Sequence, residues 1–257
     1  MYTQELGLKE EYAIVDEIQL LRIKDANQEI MMVPDNKAEI YIALTGKMSF
    51  KSLGSIRPLI IEKGKGYFMM PRRRGAEVNL TNGMKCLILK VNPIYSKKIS
   101  ESLAETSNGI FEFSISSELC SKLIESYHNA DVYEASDLIR DICVSGIDWF
   151  DYNLTILESI DRIRHSCGTI SVKEIYKSLN VSKSKLEQHF NREIGLTPKE
   201  FCKIEKINCF INLYYNNSDQ SFTELTYQCG YYDQSHLIKD FKYFLDTSPK
   251  KYFCNYR

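Results

Sequence analysis

The sequence predicts an α+β chain in two successive modules, a β-rich sandwich or barrel in front and an all-α region behind. Three observations carry this reading. Short apolar stretches separated by turn residues recur from about residue 28 to 91, the spacing of an all-β module. From about Pro93 the apolar residues change to helical spacing and glycine becomes sparse. Charge divides in the same sense: from Thr155 onward 15 Lys and Arg stand against 12 Asp and Glu, whereas the preceding 154 residues carry 18 against 22. A length of 257 residues suits one large or two ordinary domains and can bury a core without disulfide staples.

In chain order, the expected strands are Ile30–Val33, Ile40–Leu44, Leu59–Ile61, Tyr67–Met70 and Cys86–Val91. Turn signals lie between and around them: Asp35-Asn36, Gly46, Gly54, Gly64, Gly66, Gly75 and Asn82-Gly83. The Asn82-Gly83 pair reads as a hairpin, because both residues tolerate positive φ. Helical spacing then appears at Ile115, Leu119, Leu123 and Ile124, and again at Leu154, Ile156, Leu157, Ile160 and Ile163. The expected division is a β-rich ligand-sensing or dimerisation module over 1–110, a helical connector over 111–152 and a helical domain over 153–257, joined by a helix or short turn near 145–155.

Composition excludes several classes. The longest apolar run is Ile40–Leu44, far short of the roughly 20 residues a membrane helix needs. The opening Met1-Tyr2-Thr3-Gln4-Glu5 has no basic segment leading into an apolar core, so no secretory signal is expected. Eight cysteines are scattered with no Cys-x-x-Cys, which reads as reduced thiols in a cytoplasmic protein. All four histidines (His128, His165, His189 and His236) lie behind the β-rich region, so no catalytic residues, metal site or cofactor are expected there.

The last 90 residues hold two similar units. Ile170 to Phe190 contains Ser171-Val172-Lys173-Glu174, then Asn180-Val181-Ser182, then Leu186 and Phe190. Ser221 to Phe241 contains Ser221-Phe222-Thr223-Glu224, then Gly230 and Asp233, then Leu237 and Phe241. Each Ser stands three residues before a Glu, the capping box that starts a helix. Asn180 and Gly230 fall where a turn needs positive φ, and Ser182 and Asp233 stand ready to cap a second helix. The plan is helix-turn-helix twice over, in which each second helix enters a major groove of DNA. A helix over about 199–216 would be about 27 Å long and would hold the two reading helices about one DNA turn, roughly 34 Å, apart.

At these residues the chain resembles the AraC/XylS family of bacterial transcription regulators. The resemblance rests on Gly230-Tyr231-Tyr232-Asp233-Gln234-Ser235-His236, Lys239-Asp240-Phe241 and Ser248-Pro249-Lys250-Lys251-Tyr252, together with Gly195-Leu196-Thr197-Pro198-Lys199-Glu200-Phe201 closing the first unit. It covers about residues 155–253. The chain departs from the family's usual residues at Tyr176 and Thr226 (often Ala), Gln188 (often Arg) and Asp246 (often Gly). Tyr176 is bulky for a close helix crossing, so the first unit is expected to pack differently from the second. Asp246 tolerates the left-handed conformation that Gly would supply. The front region is similar in pattern to the cupin-like barrel sensor domains of the family. The resemblance implies a transcription factor rather than an enzyme, with double-stranded DNA as partner. Further candidate partners are a small-molecule effector in the front module, RNA polymerase and a second copy of the chain.

Helical periodicity picks the outward faces. With Leu186 and Phe190 inward, Ser184, Gln188 and Arg192 point outward and Lys185 flanks them. With Leu237, Phe241 and Phe244 inward, Ser235, Lys239 and Tyr243 point outward, flanked by His236 and Lys242. The resemblance adds Glu187 and Gln234 to the base-reading positions. Gln pairs bidentately with adenine, and Lys reaches guanine or phosphate.

The dense run Pro71-Arg72-Arg73-Arg74-Gly75 reads as a solvated hairpin turn, ahead of an anion site or a DNA-backbone contact. Tyr41, Phe50 and Phe68 read as core ahead of a ligand pocket, and Cys202 and Cys209 as buried small residues. The competing assignment from another class is a β-barrel enzyme or ligand-binding protein whose helical tail mediates assembly; DNA retention separates the two.

Overall fold

The structure is a computed structural model that describes residues 13–24, 27–103, 105–107 (backbone only), 109–143, 147–149, 151–217 and 220–255. Parts of the expected join near 145–155 lie outside the described residues. Among the described residues ten strands form two antiparallel sheets. In chain order they are β1 (Val15–Arg22), β2 (Gln28–Met32), β3 (Ala38–Thr45), β4 (Lys47–Ser52), β5 (Leu59–Glu62), β6 (Lys65–Met69), β7 (Ala76–Leu80), β8 (Lys85–Val91), β9 (Glu105–Ser107) and β10 (Ile110–Ser114). One sheet has the order β1-β8-β3-β6-β10-β9 and the other β2-β7-β4-β5. The fold is thus α+β, a β-rich front followed by helices.

The six-stranded sheet is covered on both faces, which explains its unbroken apolar runs. Ile40, Ile42, Phe68, Leu87 and Leu89 join the cluster shared with the helices. Their neighbours Tyr41, Ala43, Tyr67, Met69, Cys86 and Ile88 alternate onto the other face, against the second sheet. The five expected strands coincide with β2, β3, β5, β6 and β8. Strands β4 and β7 carry buried residues only at alternate positions (Met48 and Phe50; Ala76, Val78 and Leu80), so they make no run to notice. Strand β10 corrects the expectation of an all-helical pattern after Pro93: it returns to pair with β6, Phe111 opposite Phe68.

Asn82-Gly83 does form a turn, but not a hairpin. Gly83 has φ 75° and Met84 N–H donates to Thr81 at 3.1 Å. The strands on either side belong to different sheets, so this turn hands the chain from one sheet to the other.

The helices are α1 (Ser96–Ser102), entered through a 3-10 turn at Pro93–Tyr95, then α2 (Ser117–Asn129), α3 (Val132–Ile142), α4 (Leu154–His165), α5 (Val172–Ser178), α6 (Lys183–Glu193), α7 (Pro198–Asn216), α8 (Phe222–Gln228), α9 (Gln234–Leu245) and α10 (Pro249–Asn255). No helix among the described residues is long and apolar enough to cross a membrane. All eight cysteines are free thiols.

Front and back share one hydrophobic cluster that runs from Ile14 to Phe253. Polar contacts pin the seam. Asn36, fully buried at φ 61°, donates to the Phe201 carbonyl of α7 at 2.8 Å. Asn208 returns a bond to the Pro34 carbonyl at 2.8 Å. The Pro71–Gly75 run corrects the expectation of a solvated turn. Arg72 is nearly buried, paired with Glu39 and stacked 5.1 Å from the Phe50 ring centroid. Arg73, Arg74 and Gly75 reach across to the back domain: Arg73 Nη2 donates to the Gly195 carbonyl (3.0 Å), Arg74 Nε to that of Tyr243 (3.0 Å) and Gly75 N–H to that of Phe244 (2.8 Å). Arg73 and Arg74 stay partly in water, 56% and 33% exposed, but their guanidiniums end on carbonyls at the helix ends of the back domain.

Candidate nucleic-acid interface

The two units are built by the same local devices. Helix α5 opens on a capping box: Glu174 N–H donates to Ser171 Oγ (3.2 Å) and Ser171 N–H to Glu174 Oε2 (2.9 Å). Helix α8 repeats it with Ser221 and Glu224 (3.2 and 2.7 Å). Hydrogen bonding to the backbone and hydroxyl of each Ser holds Glu174 and Glu224 below the usual carboxylate range. Each turn passes through the left-handed region, at Asn180 (φ 51°) and Gly230 (φ 70°). Ser182 caps α6 and Asp233 caps α9. Asp246 ends α9 in the left-handed conformation at φ 51°.

The bulk of Tyr176 changes how the side chain packs in the first unit and leaves the turn itself unchanged. Val181 N–H donates to the Tyr176 carbonyl at 3.0 Å, and Tyr231 N–H donates to the Thr226 carbonyl at 3.1 Å. The two turns therefore close alike. Tyr176 is only partly buried, at the rim of the core, while Thr226 is fully buried and satisfies its hydroxyl on the Phe222 carbonyl (2.7 Å).

Helix α7 joins the units. It has 19 residues, about 28 Å, and starts on a third capping box, Thr197 with Glu200. Its Lys203 Nζ reaches Asp240 of α9 at 2.6 Å, and Asp240 is 3% exposed. Asp240 lies three residues after Leu237 on the inward stripe of α9; that acid among apolar neighbours was the legible sign of the pair. Asn153, the cap of α4, bonds His189 at 2.6 Å, which ties α6 to α4. Burial, then the nearby Arg192 and Lys185, lowers the His189 pKa.

Leu186, Phe190, Leu237, Phe241 and Phe244 are fully buried. On α6, Ser184, Lys185, Gln188 and Arg192 are exposed; Glu187 is half-buried and pairs with Lys183 at 3.6 Å. Arg192 pairs with its neighbour Glu193 at 2.7 Å. On α9, Gln234, Ser235, His236, Lys239, Lys242 and Tyr243 are exposed. Gln234 to Lys239 occupy the first two turns, the end of a reading helix that meets base edges. The Gln234 amide donates to Thr223 Oγ1 at 2.7 Å, which aims it from the preceding helix. Lys242 and Tyr243 sit in the last turn, beside Arg74.

A concavity of about 640 Å³ lies at the seam between front and back, with Phe50, Leu53, Arg57, Leu59, Met70 and Ile110 in its wall. Among the described residues no cluster of His, Cys, Asp and Glu is suited to a metal ion.

Comparisons with known proteins bear on both halves. Residues 175–254 match the model of the helix-turn-helix domain family. The xylose operon regulatory protein of Escherichia coli (strain K12) is 30% identical over 98 residues, 38% of this chain and 25% of that protein. That of Haemophilus influenzae is 32% identical over 123 residues, 46% of this chain and 32% of that protein. The chain thus spans between a quarter and a third of the length of these relatives. The structure of ToxT from Vibrio cholerae superposes with a TM-score of 0.58 at 12% identity, covering 94% of this chain and 99% of that one. ToxT with an unsaturated fatty acid bound gives 0.56 at 14% identity, covering 93% and 94%. At these identities the likeness is one of fold, and it extends through the β-rich front as well as the helices.

Proposed function

We propose that this chain, whose C-terminal region is a helix-turn-helix domain of the AraC/XylS type, is a sequence-specific DNA-binding regulator of transcription. The observation that carries the reading is the pair of capped units on one rod, α6 and α9 both presenting exposed polar faces. Ser184, Lys185, Glu187, Gln188 and Arg192 would read one groove. Gln234, Ser235, His236 and Lys239 would read the next, with Lys242 and Tyr243 toward the backbone. No catalytic step belongs to this reading, and it places the protein with the chromosome in the cytoplasm. In this proposal the modules are 1–110, 111–152 and 153–257, and the last sheet strand, Ile110–Ser114, crosses the first bound.

The front module is the control element in this proposal. The ToxT structure with a fatty acid bound, and the seam cavity walled by apolar side chains on one side and by Arg57 and Arg72 to Arg74 on the other, favour an effector with an apolar body and an anionic group. RNA polymerase and a second copy of the chain are further partners in this proposal.

The test is a mobility shift with the full chain on duplexes selected by it from a randomised pool. Affinity should fall steeply and linearly on a logarithmic salt scale, as phosphate contacts release counterions. Absence of any retained duplex at low salt defeats the proposal.

A further inference from the structure

The three-residue segment Arg73–Gly75 touches the back ends of both reading helices. The last carbonyls of a helix have no N–H partner within it and carry the negative end of its dipole. In α9, two of these carbonyls are claimed by the front module, Tyr243 by Arg74 Nε at 3.0 Å and Phe244 by Gly75 N–H at 2.8 Å. The Arg74 guanidinium also pairs with Asp246, the residue that ends the helix. In the first unit, the Gly195 carbonyl, one residue past the cap of α6, accepts from Arg73 Nη2 at 3.0 Å. Arg73 Nε faces Glu200 Oε1 at 3.3 Å, while the other oxygen of Glu200 takes the Thr197 N–H at 2.8 Å and starts α7.

The segment is anchored on both sides. Arg72 before it is held by Glu39, and the Gly75 carbonyl accepts from Leu53 N–H at 2.9 Å. Gly75 also stands where nothing larger fits: a Cβ there would lie 2.7 Å from the Met32 carbonyl oxygen and 2.8 Å from Leu245 Cδ2. Arg73 and Arg74 are neighbours, their Cα atoms about 3.8 Å apart. One short strap therefore grips two helices whose other links run through α7 and the shared core.

We propose that Arg73, Arg74 and Gly75 are positioning residues for DNA readout, fixing the separation and tilt of α6 relative to α9 and hence the spacing of half-sites that one chain accepts. This rests on the DNA-reading proposal above. One inserted base pair moves the second half-site by about 3.4 Å and turns it by about 35°. Units held by the strap as well as the rod and core follow such a change poorly, whereas units without the strap follow it better.

The experiment uses the full chain and the duplex it selects from a randomised pool, then the same duplex with one or two base pairs inserted or removed between the half-sites. The wild-type chain is expected to lose about tenfold or more in affinity per base pair changed, comparable to a mismatch within a site. The double variant R73A/R74A, checked for folding by circular dichroism, should lose less than about threefold across the same series. G75A keeps both charges but displaces the strap, and should flatten the spacing profile likewise; R74K, which keeps the pairing with Asp246, should be intermediate. If the double variant does not fold, R73Q and R74Q, each releasing one anchor, carry the same comparison. Folded variants that keep the wild-type spacing profile, or that lose affinity equally at every spacing, overturn the inference while leaving DNA reading intact. A wild-type chain that selects no duplex overturns both.

Discussion

Asn180 and Gly230 hold the same place in two successive turns, with φ 51° and 70°, each followed by a residue that caps the next helix. One position tolerates a side chain and the other does not. A Cβ on Gly230 would lie 2.7 Å from Thr169 Cγ2 in a conformation that L residues rarely adopt. We expect G230A to lower stability by about 1–2 kcal/mol, the ordinary cost of the left-handed region, and N180G to change it by less than about 0.5 kcal/mol. Urea unfolding of both decides it; a G230A chain as stable as wild type contradicts the turn geometry.

Readout and core should separate cleanly on α9. Q234A or S235A should change preference at one or two base positions by about 1–3 kcal/mol with the fold intact. K239A should weaken binding and reduce its salt dependence. F241A removes a fully buried ring and should cost about 3–5 kcal/mol of stability instead. Binding to a panel of single-base variants, with circular dichroism on the same samples, distinguishes the two. If Q234A, S235A and K239A all bind every duplex like wild type, α9 is not in the groove.

Glu39 gives a pH-dependent prediction. It is 1% exposed on β3, beneath Arg72 and Lys90, and accepts from Tyr41 Oη at 2.7 Å. Burial alone would raise its pKa, but Arg72 and then Lys90 outweigh burial and hold it to about 2, against an ordinary 4.5. A carboxylate lowered on folding contributes stability above about pH 4.5 and loses it as pH falls toward 2. R72M leaves that charge with Lys90 only and should cost about 3 kcal/mol at pH 7. The cost should shrink as pH falls below about 5, because burial then lets the orphaned carboxyl protonate early. A deficit that stays constant from pH 7 to pH 3 would show that Arg72 does not act through Glu39.

The buried acid on α9 offers a second electrostatic test. Lys203 is a third exposed and Asp240 nearly buried. K203M should therefore cost about 1–3 kcal/mol, less than for a fully buried pair because water screens one side. The double variant K203M/D240L, which removes the stranded charge, should recover most of it. Thermal melts that leave K203M unchanged would remove the pair from any structural role.

The back half was readable from sequence because its signals are local. Caps, turns and inward pairs such as Leu186 with Phe190 all act within four residues. The outward faces followed from periodicity, and the exposure of Ser184, Gln188, Ser235 and Lys239 agrees with that placement. What was not readable depended on distant partners. Asn82-Gly83 has the chemistry of a hairpin, yet which sheet receives β8 is decided by pairing with β1 and β3. The arginine run looked solvated because the acceptor of Arg72 lies 33 residues back and those of Arg73 and Arg74 lie 122 to 172 residues further along the chain. Strands β4 and β7 were hidden by alternation, and the bond between Asn153 and His189 by its span of 36 residues.

The bond from Asn36 to the Phe201 carbonyl spans 165 residues, and synthesis is vectorial. At about 5–20 residues per second, the front half waits roughly 8–30 s between the birth of Asn36 and that of its acceptor. During that interval the strap arginines and the seam face stand bare in a nascent chain. A ribosome that stalls after the sandwich is made would release a fragment already folded on one side and adhesive on the other. The last helices to emerge thus complete the front module as well as their own domain.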